Sequence, residues 1–198
     1  TFNHQFFHKW DGTTLTNGEF VNAQNMTSTY LYNWFLVKLP IIYILSFLLI
    51  LIFFKELKKD FLLFYSFTLI STVFICFSIL RPTAYDGIRH FLFLIPYFVY
   101  IFISTCYIIS DNFKINIMVF FLVSGCYLLF TQFGLQNMRY TYFNETINIE
   151  SIAYHCEESI DGCGEWTTDY WGFSGKKIGS SLTNLLEPGS TILICKPY

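Results

Sequence analysis

Charged residues are scarce: Asp, Glu, Lys and Arg make up 13% of the 198 residues, about half the share found in an ordinary soluble domain. With a net charge of −2 and a pI near 6.0, this excludes nucleic acid as a partner, because phosphate backbones are held by clustered Lys and Arg. No basic stretch followed by an apolar core and a small-residue cleavage site opens the chain, which begins at Thr1, so a processed start or a piece of a longer protein is expected. Internal repeats and low-complexity segments are lacking too. No catalytic set is complete by spacing. GKKIGSS at 175–181 lacks the Gly-Lys-Ser/Thr ending of a phosphate loop, and no Ser or Cys stands in a nucleophile elbow. No second Cys or His pair stands at zinc-ligand spacing from the first. His4 and His8 are four apart, the spacing of one helix face, but Phe6 and Phe7 make packing the simpler reading, and no metal site is expected.

What is abundant is apolar. Hydrophobic residues are 54% of the chain and aromatic residues 21%. Four apolar segments, at 34–54, 61–80, 91–109 and 115–133, each approach the ~20 residues a helix needs to cross a bilayer, and none alternates as a barrel strand does. The expected fold class is mainly α: a polytopic α-helical membrane protein with four transmembrane helices and a small α/β extracytoplasmic tail. Three parts follow: an extracytoplasmic loop at 1–33, a four-helix region at 34–133, and a tail at 134–198 that reads as the start of a soluble α/β domain. Pro40 and Pro96 fall in the first turns of helices one and three, where a missing N–H matters least.

Loop charge gives the orientation. KELKKD at 55–60 and Lys114 in the turn at 111–114 place those connections in the cytoplasm, and both termini and the loop after the second helix outside. That loop, RPTAYDGIRHFLFLIP at 81–96, carries the outside-facing charge cluster. It gathers Arg81, Asp86, Arg89 and His90 and enters an apolar run without a break. Arginine suits phosphate through paired, charge-assisted hydrogen bonds, so a lipid-linked phosphate can rest at Arg89 with its chain between helices. The competing reading makes Arg81 and Arg89 interface anchors, with Asp86 pairing one of them. Lys38 carries the same ambiguity. Tyr30, Tyr32, Trp34, Tyr140 and Tyr142 read as an aromatic belt.

In the tail, Cys156 and Cys163 can close a short disulfide loop in an oxidising compartment, or remain free thiols. A short helix at 174–186 and a strand at 191–195 are expected to follow. Turn signals stand at Asp11-Gly12 and Asn17-Gly18, and glycosylation triplets begin at Asn25 and Asn144.

Four motifs in order, YLYNWFLVKLP (30–40), AYDGIRHFLFLIP (84–96), YTYFNE (140–145) and DYWGFSGK (169–176), resemble the C-terminal half of bacterial GT-C type membrane glycosyltransferases. These are the enzymes related to protein mannosyltransferases and aminoarabinose transferases, and the resemblance covers 23–186. It implies transfer of a sugar from a polyprenyl-phosphate carrier to a glycan, lipid or protein acceptor on the extracytoplasmic face of the bacterial inner membrane. It also implies inversion at the sugar carbon, with a carboxylate base that lies N-terminal to this chain. Arg89, His90, Lys38 and Arg81 are then the donor-phosphate ligands and Asp86 a supporting residue. Asp169, Tyr170 and Trp171 would dock the tail on the membrane domain. The bilayer and the lipid-linked donor are the implied partners, and no cofactor is called for. Alone, this chain is expected to bind without catalysing. The alternatives are a non-catalytic, membrane-anchored interaction protein and, ranked last, a transporter component.

Overall fold

The computed structural model describes residues 12–85, 87–135, 142–147, 152–153 and 166–167. The fold is mainly helical. A hairpin of β1 (Thr13–Thr16) and β2 (Glu19–Asn22) leads into α1 (Tyr30–Lys38), α2 (Ile41–Leu49), α3 (Phe54–Lys59) and α4 (Phe61–Leu80). A 3-10 helix (Arg89–Leu94) then runs into α5 (Ile95–Phe113), followed by α6 (Ile117–Leu135). Two short strands, β3 (Ile152–Ala153) and β4 (Trp166–Thr167), pair in parallel.

The hairpin forms because Asn17 and Gly18 both take positive φ, 53° and 80°, the conformation that a two-residue turn between right-twisted strands requires. α4 begins and ends where the apolar run does. Asp60 caps its first turn by accepting from the Leu63 N–H at 3.0 Å, and Arg81 closes its C-terminus in the left-handed region, its N–H donating to the Phe77 carbonyl at 2.8 Å. Pro96 sits in the first turn of α5, as expected.

By length and composition two helices can cross a membrane, Phe61–Leu80 and Arg89–Phe113, or three if α1 and α2 form one broken span. The described apolar stretch of α6, Ile117–Thr131, is shorter than a span. Large apolar side chains face outward along these helices, Phe61 and Phe130 at 80% and 82% exposure, as lipid contact allows and water does not.

The first apolar segment is not the single helix expected over 34–54. α1 and α2 meet at 117°, and the cause is local. Pro40 pushes the residue before it out of the helical region, and Leu39 accordingly lies at φ −87°, ψ 140°. Pro40 thus starts the second helix, and Lys38 is the last residue of the first. Turned so far from α2, α1 packs against β1 and α4 at one end of the bundle. The hairpin, α1, the loop at 81–88 and β4 together make a cap there.

The two lysine-bearing turns are not level along α5. The Tyr100 hydroxyl donates to Asp60 Oδ2 at 3.1 Å, so the start of α4 meets α5 thirteen residues before Phe113, about 20 Å short of that helix's end.

Candidate functional site

Breaking a helix leaves carbonyls without partners. At the end of α1 they are met by a residue more than a hundred positions away. The Asn144 side-chain amide donates to the carbonyls of Leu36 and of Leu39, the latter at 2.8 Å, and its backbone N–H donates to the Val37 carbonyl at 2.8 Å. Its Oδ1 accepts from the Thr146 backbone and hydroxyl, and the residue is 2% exposed. The amide of the Asn144-Glu145-Thr146 triplet is therefore consumed as a clamp on the α1–α2 break, and no glycan can reach it.

The clamp brings Phe143 under Lys38. The ammonium lies 3.5 Å from the Phe143 ring centroid and 5.9 Å from that of Trp34, in cation–π range of both. Among the described residues it has no carboxylate and no hydrogen-bond acceptor within reach. Burial without an anion disfavours the charged form and pushes Lys38 down to about 7. Beyond Pro40 the next helix begins, its Ile41 N–H donating to the Tyr127 hydroxyl at 3.3 Å. A desolvated cation on aromatic faces is an arrangement that an anion completes.

Trp34 is the hub of the cap. Its indole N–H donates to Thr16 Oγ1 at 3.1 Å in the hairpin, its ring meets Trp166 of β4 edge-on at 5.0 Å, and Tyr30 and Phe143 lie within 6.3 Å. Gly87 packs on the same indole at φ 67°, its N–H donating to the Tyr30 hydroxyl at 3.1 Å. Tyr30 and Trp34, at 0% and 2% exposure, are core residues and not the aromatic belt expected of them; Tyr32 is exposed as a belt residue would be. The hydrophobic stretch they belong to faces a protein layer, which inverts the belt reading.

The expected phosphate ligands divide. Lys38 is at the break. Arg89 opens the 3-10 helix and is exposed, so it does stand at the mouth of a helix. His90 follows with its ring edge-on to Tyr85 at 4.7 Å and its Nε2 buried. Arg81 is an exposed helix cap. Gly87 joins the arginine loop to the Lys38 wall, since both meet the Trp34 indole. Asp86, Asp169, Tyr170, Trp171, Cys156, Cys163, His4, His8 and the expected segments at 174–186 and 191–195 lie outside the described residues.

Sequence reasoning gave no site role to Tyr127, Phe143 or Glu145, and read Asn144 only as the start of a glycosylation triplet. The signal for the break was present in Leu39-Pro40, and that for the hairpin in Asn17-Gly18 between TTLT and EFVN. Nothing in the sequence linked 143–145 to 36–41. No protein-family model matches the chain, and no curated protein or solved structure matches it significantly.

Proposed function

We propose that this chain is the donor-binding, C-terminal part of a membrane glycosyltransferase that moves a sugar from a polyprenyl-phosphate carrier to an acceptor on the extracytoplasmic face of a bacterial inner membrane. The observation that carries this reading is the Lys38 ammonium, half-buried at a broken helix, seated on Phe143 and Trp34 and without an anion among the described residues. Anions abundant at a bilayer surface are phosphates, and a carrier lipid presents its phosphate at the depth where its chain enters the membrane. Broken helices whose half-helix N-termini face anionic groups serve substrate binding in other membrane proteins.

In this reading four spans cross the bilayer: α2 with the turn that follows it up to Phe54, α4, the 3-10 helix with α5, and α6. The cap faces outside and KELKKD the cytoplasm. Lys38 binds the carrier phosphate, while the exposed Arg89, with Arg81 at the far end of the same loop, attracts it electrostatically. Asp86 and His90 support that loop. The carrier chain lies along the apolar helix faces. The base that activates the acceptor belongs to a part of the enzyme N-terminal to this chain.

The test uses the chain in lipid nanodiscs and a short prenyl phosphate, such as farnesyl phosphate, as ligand. Lys38→Met is expected to weaken binding about ten- to hundredfold, the worth of a charge-assisted contact, with Lys38→Arg losing less. Unchanged binding by Lys38→Met would sink the reading and favour a membrane-anchored interaction protein, to which Lys38 is indifferent.

A further inference from the structure

A carboxylate stands across the Asn144 clamp from Lys38. The Tyr127 hydroxyl, on α6, lies 2.9 Å from one Glu145 oxygen and 2.8 Å from the other and donates to that carboxylate, while accepting from the Ile41 N–H at 3.3 Å at the start of α2. Three separate elements thus fix one side chain at the α1–α2 break. Glu145 is otherwise exposed, and one donor leaves most of its acceptor capacity open. Glu145 and Lys38 flank Asn144 through residues 143 and 145, yet they do not form an ion pair. Opposite charges on the two sides of one clamp, not paired with each other, fit a ligand that carries an anion and, a short way along it, hydrogen-bond donors. The nearby Tyr142 hydroxyl is pushed up by burial and by Glu145, so it stays protonated and adds a further polar group.

We propose that Glu145 reads the sugar of the lipid-linked donor, accepting hydrogen bonds from hydroxyls of the ring esterified to the phosphate that Lys38 holds. This rests on the assignment of Lys38 above. The ligand class is a neutral hexose or pentose with a hydroxyl turned toward the carboxylate. Tyr127 is a positioning residue, since it orients Glu145 and seals the start of α2.

The two assignments separate in one binding series on the chain in nanodiscs, using farnesyl phosphate and the hexosyl ester of the same phosphate. The wild-type chain is expected to bind the hexosyl ester about tenfold tighter than the bare phosphate. Glu145→Gln keeps an oxygen for Tyr127, so the fold and the unfolding midpoint are retained; it is expected to erase the sugar-dependent gain without weakening farnesyl phosphate binding. Tyr127→Phe is expected to lose part of the same gain. A wild-type chain that does not distinguish the two ligands, or a Glu145→Gln variant that keeps the full gain, overturns the inference about Glu145 while Lys38 stands. If Lys38→Met leaves farnesyl phosphate binding intact, the phosphate assignment fails first and the sugar assignment falls with it.

Discussion

Replacing Trp34 with alanine is expected to destabilise the cap by about 3–5 kcal/mol, the range for emptying a large aromatic site in a packed core. The indole is the common contact of four segments: the hairpin through Thr16, α1 through Tyr30, the arginine loop through Gly87, and β4 through Trp166. It also carries the second aromatic face beneath Lys38. Truncation leaves a cavity where these segments meet. Trp34→Phe keeps a ring and loses chiefly the N–H to Thr16, and is expected to cost about 1 kcal/mol from that bond, with a smaller packing loss added. Thermal unfolding in detergent, with hydrogen exchange at the amides of β1, β2 and Gly87, reads both. A Trp34→Ala chain whose hairpin amides stay as protected as in the wild type would show that the cap is held by something other than this indole.

Gly87→Ala is the second large effect, expected at about 2–5 kcal/mol. Two independent causes contribute. At φ 67° any side chain brings the strain of the left-handed region, about 1–2 kcal/mol. A Cβ built there also lies 2.9 Å from the Trp34 ring, and overpacking of this kind typically costs about 1–3 kcal/mol. The causes separate in a double-mutant cycle, since the clash needs Trp34 and the backbone strain does not. In the Trp34→Ala background Gly87→Ala is expected to cost only the strain, a coupling of about 1 kcal/mol or more. Additive effects would show that the loop does not press on the indole. Because Gly87 precedes Arg89 by two residues, Gly87→Ala also displaces the exposed arginine from the cap.

How much of this was legible in the sequence depended on the range of the interaction involved. α4 was readable to the residue, because an uncharged run between Asp60 and Arg81 decides its limits locally. The third segment was readable as a span, but not its opening 3-10 turn, for which apolar composition carries no signal. Arg81 in a left-handed cap was not readable, since that position ordinarily calls for Gly or Asn. The Leu39-Pro40 pair did contain the broken helix: steric conflict with the proline ring is a local rule, and hydrophobic length outweighed it in the reading of 34–54 as one span. Nor did charge counting foresee that Asp60 meets Tyr100 midway along α5, a contact set by helix tilt. Long-range closure was the least legible. Asn144 reads as part of a glycosylation triplet and acts as the C-terminal clamp of a helix 105 residues earlier. Lys38 was named as a candidate for its charge, whereas its isolation over Phe143 comes from that clamp.

The same isolation supplies the account's central claim, that Lys38 waits for an anion. Its ammonium is held down to about 7 by burial, against 10.5 for an ordinary lysine. Between those values the unfolded chain retains a proton that the folded chain has lost, so stability rises with pH across that window. Anion affinity runs the other way. Only the protonated form binds, so affinity for a phosphodiester is expected to be flat below pH ~7 and to fall about tenfold per pH unit above it, until the raised value of the bound state is reached.

The most direct measurement is the titration of Lys38 itself, followed through the chemical shift of its labelled ε-carbon with and without farnesyl phosphate. A midpoint near 7 in the free chain that moves upward when the ligand is added is the predicted result. A midpoint near 10.5, unmoved by the ligand, would mean that Lys38 is a solvated surface charge and that the site at the broken helix binds no anion.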